Sequence, residues 1–193
     1  MLHIETERLV LKPHTLADVQ KMNEWSNDPE LLYLNDDAPD DRVPRSLEDT
    51  RKLLEARFIS PVPDGSILHY AIHRKDNGAL IGSGDIAFID RYNRRCSLGI
   101  EIGDKSERGQ GFGRETLSAI IHYCFTKLDM NRIGAEAWEF NERSIRMLEA
   151  LGFKREGVAR QFLLKNGEFF DEYQYGLLRE EWTAQRGSNS ATT

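Results

Sequence analysis

Cysteine is scarce: the 193 residues contain two, Cys96 and Cys124. Two thiols without metal-ligand spacing make neither a disulfide framework nor a zinc site, and a chain this long buries a core without such staples. Long apolar runs are lacking as well. No stretch approaches the roughly 20 residues of a membrane span. The opening Met1-Leu2-His3-Ile4-Glu5 has none of the blocks of a signal peptide, so a reduced, cytoplasmic protein away from membranes is expected. Positive charge is in deficit, with 26 Lys and Arg against 32 Asp and Glu and a net charge of −6. Duplex nucleic acid is therefore not an expected partner, because neutralising phosphates takes clustered basic residues. Repeats and low-complexity segments are absent too. Only the end of the chain, from residue 184 and above all residues 186–193, reads as a disordered tail, leaving residues 1–183 as one domain.

What is present alternates between strand and helix signals. Residues 8–12 alternate as a first strand and stop at Pro13. Thr15 and Asp18 open a helix with Leu16, Val19, Met22 and Trp25 on one face. Residues 28–41 read as a long acidic connection. Ser46 begins a second helix carrying Leu47, Leu53, Leu54 and Phe58. Strands follow at residues 67–74, 80–89 and 97–102; in the last, Leu98, Ile100 and Ile102 share one face and Ser97, Gly99 and Glu101 the other. Next come a glycine-rich loop, an amphipathic helix through Leu117, Ile120, Ile121, Cys124 and Leu128, and a strand at 132–138. Asn141 is placed to cap a helix that stops at Gly152. Residues 154–164 and 168–178 flank Asn166-Gly167, a strong hairpin signal. The pattern is mixed α/β.

Of the 15 glycines, Gly99, Gly103, Gly109, Gly111 and Gly113 crowd into one short stretch. Arg108-Gly109-Gln110-Gly111-Phe112-Gly113 lies between a strand and a helix. That arrangement aims backbone N–H groups at one spot, on the positive end of the helix dipole. A phosphate or pyrophosphate suits it, with Arg108 and Arg114 available for charge-assisted contacts. A Walker loop is excluded because no Gly-Lys-Ser/Thr follows. The dinucleotide fingerprint fails because Thr116 stands where its third glycine is required.

The loop does match Arg/Gln-x-x-Gly-x-Gly/Ala and so resembles the pyrophosphate loop of the Gcn5-related N-acetyltransferase (GNAT) superfamily. Thr6-Glu7-Arg8-Leu9-Val10-Leu11 is similar to the opening strand of its RimJ/RimL-like group, which modifies ribosomal proteins. Asn141-Glu142-Arg143-Ser144, then Leu148-Glu149-Ala150-Leu151-Gly152-Phe153, resembles that group's Asn-x-x-Ser helix, and the Asn166-Gly167-Glu168 hairpin is similar too. The resemblance implies a single domain with a twisted mixed sheet of six or seven strands, about four helices and a splayed central pair of parallel strands. It implies acetyl-CoA as cofactor, with Glu101, Ile102 and Gly103 along the pantetheine and thioester. Arg108, Gly109, Gln110, Gly111, Phe112, Gly113 and Arg114 would surround the pyrophosphate. Asn141 matches a cofactor-side position, and serves equally as a helix cap.

The implied reaction is direct attack of an amine on the thioester in a ternary complex. A backbone N–H near Ile102 is an oxyanion donor on this reading. Many members of the superfamily carry a glutamate where this chain has Ser97, which is no ordinary base. Glu101, on the same face four residues on, is then the base, directly or through a water, or else a carboxylate that binds a cation or faces solvent. Many relatives have a tyrosine where this chain has Leu148, on the apolar stripe. Ser144 takes the place of the acid toward the departing sulfur, or bonds its own helix backbone.

The acceptor side is less defined. Asp28, Glu30, Asp36, Asp37, Asp40 and Asp41 form either an anionic rim for a cationic amine or a solvated acidic loop. Trp25, Tyr33, Phe162 and Tyr173 are candidates for an acceptor slot or for the core. An N-acetyltransferase acting on a peptide α-amine is expected, with a small amine such as a polyamine or aminoglycoside, or a non-catalytic acyl-CoA sensor, as alternatives. His69, His73 and His122 lack metal-ligand spacing. Homodimers are common in such domains, but no interface is legible.

Overall fold

Alternate burial sets the strands. In Leu9–Lys12 (β2), Leu9 and Leu11 are fully buried while Val10 and Lys12 are partly exposed, so one face lies on a core. The computed structural model describes residues 2–35, 43–60 and 64–190. Among them are eight strands and six α-helices, in a mixed α/β fold. That exceeds the six or seven strands and about four helices expected, because β1 (Ile4–Glu5), α2 (Pro29–Asn35) and α6 (Arg179–Ser190) carry weak signals. Two compact units are interleaved along the chain. The described residues of Met1–Ala87 and Gly99–Ala119 form one; those of Phe88–Leu98 and Ile120–Thr193 form the other.

In the first unit, β1, β2, β3 (Leu68–Arg74) and β4 (Leu80–Asp90) pair antiparallel in that order. The second half of β5 (Arg95–Glu101) follows β4 in the sheet. Tyr70, Ile72, Ile81 and Ile86 are buried in its core. Trp25, at the end of α1 (Val19–Trp25), packs with Leu31, Ala71 and Leu80, so it belongs to the core and not to an acceptor slot. Ser46 caps α3 (Leu47–Leu53), its Oγ accepting from the Asp49 amide at 3.1 Å. A π-helical turn, Leu54–Ile59, continues it.

The acidic stretch from residue 28 is not the connection expected. Asp28 Oδ1 accepts from the amides of Glu30 (2.8 Å) and Leu31 (3.3 Å), and Pro29 starts α2 with the φ it already has. Residues 36–42, which include Asp36, Asp37, Asp40 and Asp41, lie outside the described residues.

In the second unit the first half of β5 runs parallel to β6 (Arg132–Trp138), with Arg95, Cys96 and Ser97 opposite Arg132, Ile133 and Gly134. On its other side β6 pairs antiparallel with β8 (Glu168–Leu178), and β8 with β7 (Lys154–Lys165). Asn166 (φ +51°) and Gly167 (φ +81°) both take the left-handed region, as the two-residue hairpin signal demands. Helix α5 (Glu142–Ala150) buries Leu148, in keeping with its place on the apolar stripe. Helix α6 spans Arg179–Ser190. It is held by Trp182, whose ring lies 5.1 Å from Phe125, and by Arg179, which donates to the Met130 carbonyl.

Helix α4 (Phe112–Thr126) opens in the first unit, where Glu115 fastens the N-terminal segment. Its Oε1 accepts from the Thr6 hydroxyl (2.5 Å) and the Arg8 amide (2.9 Å), and its Oε2 from Arg8 Nε (2.6 Å). Burial raises the Glu115 pKa, but the bonds from Thr6 and Arg8 outweigh it and hold the carboxyl below its ordinary value. Its contribution to stability is therefore present above the unfolded-state pKa and lost as pH falls through the lowered folded value. Glu115→Ala should cost about 1–3 kcal/mol in urea unfolding at neutral pH. The gap to the wild type should close in acid.

Candidate active site

The segment after β5 is built to expose amides. Asp104 caps a short 3₁₀ turn, Lys105–Glu107, its Oδ1 accepting from the Ser106 amide (3.0 Å) and hydroxyl (2.7 Å). Gly109 (φ +80°) and Gly111 (φ +85°) then take backbone angles that side chains disfavour. A Cβ on Gly111 would meet only Arg8 Nη2, at 3.5 Å, so the space over that residue is open. Glu115 is the first residue to bond back, its amide reaching the Gly111 carbonyl at 3.0 Å. The amides of Phe112, Gly113 and Arg114 thus have no acceptor within α4 and stand at its positive end. These donors fit a pyrophosphate.

The side chains of this segment divide into two groups. Arg114 is exposed on the first turn of α4. Phe112 is buried, with the guanidinium of Arg8 4.3 Å from its ring centroid, so only its backbone faces outward. Gln110 donates to the Ser106 carbonyl at 2.7 Å, and its own carbonyl accepts from Arg8 Nη1 at 3.1 Å.

Arg108 departs from expectation. Its side chain is only 7% exposed. Nε donates to the Ile102 carbonyl (3.0 Å) and Nη2 to the Gly103 carbonyl (2.8 Å). Nη1 lies 3.1 Å from Glu30 Oε1, close enough for an ion pair though not aligned as a hydrogen bond, and Nη2 lies 3.8 Å from Asp28. The guanidinium is turned inward and anchors the loop to the chain after β5. Its carboxylate partners are consequently not an open anionic rim: Lys105, at 2.9 Å, and Arg108 hold Glu30 below its ordinary pKa.

Glu101 ends β5, with Ile102 and Gly103 immediately after; Gly103 is buried against the Trp25 ring. All the loop candidates therefore belong to the first unit. Asn141 and Ser144 belong to the second. There Asn141 Oδ1 accepts from the Ser144 amide at 3.2 Å, so it is a helix cap. The Ser144 hydroxyl does not bond its helix backbone, and among the described residues it has no hydrogen-bond partner. Ser97, also in this unit, has its hydroxyl 3.3 Å from both the Gly134 carbonyl and Glu136 Oε2. Phe162 stacks on Trp138, and Tyr173 lies under the Arg155 guanidinium.

One titratable residue escapes the sequence reading. Asp85, in the middle of β4, stands directly opposite His69 on β3, and burial pushes its pKa up against the weak opposing pull of Arg57. Its only sequence signal is a lone carboxylate inside an otherwise apolar strand. Among the described residues no group of three or more His, Cys, Asp and Glu is placed to hold a metal ion, and no helix is long and apolar enough to cross a membrane.

Comparison with known proteins agrees with this geometry. The family model described as an acetyltransferase (GNAT) domain matches residues 8–154. An uncharacterised N-acetyltransferase of Bacillus licheniformis, p20, is 29% identical over 177 residues, covering 92% of this chain and 96% of that protein. The [ribosomal protein uS5]-alanine N-acetyltransferase of Escherichia coli is 32% identical over 123 residues, 63% of each chain. The crystal structure of a probable acetyltransferase superposes with a TM-score of 0.79 at 25% identity, covering 94% of this chain and 99% of that one. That of spermidine N-acetyltransferase from Vibrio cholerae, in complex with CoA and spermine, gives 0.77 at 19% identity, covering 92% and 99%. The glycine cradle and these likenesses converge: the chain belongs to the GNAT family of acetyltransferases, which use acetyl-CoA.

Proposed function

We propose that the chain acetylates the α-amine of a peptide or protein N-terminus. The observation that carries this acceptor is the 32% identity to an enzyme named for acetylating an alanine of a ribosomal protein. The spermidine enzyme, at 19% identity, shares only the fold. Asp28 and Glu30, the described part of the acidic stretch, are engaged by Arg108 and Lys105, which leaves them poorly placed to receive a polyamine.

Acetyl-CoA supplies the acetyl group as a thioester. The amides of Gly109 to Arg114 bind the pyrophosphate, with the exposed Arg114 adding charge. Ile102 and Gly103 follow the pantetheine, the Ile102 amide donating to the thioester carbonyl oxygen. Glu101 receives the ammonium of the acceptor. Asn141, the cofactor-side residue of the family pattern, caps the helix that carries Ser144. The Ser144 hydroxyl donates to the departing sulfur.

Thiol release should therefore depend on peptides with a free N-terminal alanine. Release with spermidine alone would overturn the acceptor assigned here. Gly111→Val should weaken acetyl-CoA binding about 100-fold or more by calorimetry, because a branched side chain disfavours the positive φ and fills the cradle. Arg114→Gln should weaken it about tenfold with no change in stability, whereas Arg108→Gln should cost about 1–3 kcal/mol in unfolding. In steady-state kinetics, Glu101→Gln should raise the KM for the peptide. Ser144→Ala should lower turnover by less than about tenfold, since a thiolate leaves readily.

A further inference from the structure

Strand β4 carries its carboxylate at a costly place. Ile81, Ile86 and Ile89 of the same strand are buried, and the fold gives Asp85 no hydrogen bond or ion pair among the described residues. A lone, desolvated carboxylate is expensive to keep. The strand beside it makes room: a Cβ on Gly99 of β5 would stand 3.0 Å from Asp85 Oδ2 and 3.3 Å from Oδ1. The carboxylate thus lies over bare backbone. Gly99 is itself fixed by the Tyr70 hydroxyl, which donates to its carbonyl at 3.3 Å. Opposite Asp85, His69 has its Nδ1 buried without a partner, and its ring packs 4.6 Å from that of Phe58.

The charged and titratable groups facing Asp85 are His69 from β3 and Arg57 from the π-helical turn. From β5 the neighbour is Gly99, with Glu101 two residues further along the same face. Burial lowers the His69 pKa, with a smaller contribution from Arg57, so His69 favours its neutral form and does not neutralise Asp85.

We propose that Asp85 is the catalytic base that takes the proton from the acceptor ammonium. The assignment rests on the amine-acetylation reading above. Asp85 removes one proton from the ammonium, leaving a nitrogen lone pair. The nitrogen then bonds to the acetyl carbon as the carbon–sulfur bond breaks, with the electron pair going to sulfur. The second nitrogen proton passes to the thiolate. The products are the amide, free CoA thiol and one proton, which Asp85 returns to solvent.

Burial makes the carboxylate more basic, as a base acting on an ammonium requires. The same burial gives a signature that a structural aspartate lacks. The folded-state pKa lies above the unfolded one, so the stability linked to Asp85 is full below the unfolded value and is lost as pH rises through the folded value. Asp85→Asn should then unfold no earlier than the wild type at neutral pH. It should keep acetyl-CoA affinity by calorimetry, while kcat/KM for the peptide falls about 100-fold or more and the acidic limb of the pH profile disappears.

In the free enzyme, carboxyl ¹³C NMR should show Asp85 titrating above the roughly 3.9 of an ordinary aspartate. Turnover and an acidic limb retained in Asp85→Asn would overturn the assignment alone. So would Asp85 titrating at or below the ordinary value. A wild type that releases no thiol with any amine would overturn the amine-acetylation reading itself.

Discussion

The glycine loop depends on Arg108. A guanidinium almost out of water is tolerated only when its donors are used, and here they meet two backbone carbonyls and two carboxylates. The Ile102 and Gly103 carbonyls belong to the chain just after β5, and Asp28 and Glu30 to the start of α2. The start of α2, the end of β5 and the loop are thus tied through one side chain. Arg8 holds the loop again, through the Gln110 carbonyl. Glycines at positive φ make a cradle only if the chain around them is fixed, and these two arginines fix it.

The chain's charge takes on a different meaning from this. The net charge of −6 suggests an acidic rim open to a cationic substrate. The described part of that stretch serves instead as counterion to Arg108 and Lys105. Asp28 does double duty, since its Oδ1 also caps α2. Because Arg108 is occupied inside, the groups left facing outward at this helix end are dipoles, the unbonded amides at the start of α4, with Arg114 as an exposed cation beside them. Backbone donors of this kind need no side-chain ordering when the ligand arrives.

What the sequence makes legible is what local chemistry decides. The Asn166-Gly167 hairpin, the strand at Arg132–Trp138, the Ser46 cap and the glycine loop all sit where spacing and turn residues place them. The direction of the Arg108 side chain was not legible, because its carboxylate partners lie on a distant stretch of chain. Helix α2 was hidden by its acidic flanks, though Leu31 turns inward to the core. Helix α6 was hidden because polar residues fill its last turns, while Trp182 and Arg179 hold its beginning. At Asn141 the cap reading is the one its side chain adopts. Asp85 is not legible in the sequence because a strand aspartate has no motif, and only its cross-strand neighbours reveal its isolation.

The glycines of β4 and β5 are best understood together. A Cβ on Gly84 would come within 2.5 Å of both the Gly99 carbonyl and the Tyr70 hydroxyl, and one on Gly82 would strike the Glu101 carbonyl. Side chains at these positions would push the two strands apart and break the bond from Tyr70 to Gly99. With the strands close, β5 is held from one face by Tyr70, and on the other its backbone at Gly99 lies open beneath Asp85. Enlarging Gly99 would crowd the carboxylate, and enlarging Gly84 would move the floor on which it rests. The same absence of side chains that lets the strands approach therefore sets both the place and the exposure of Asp85.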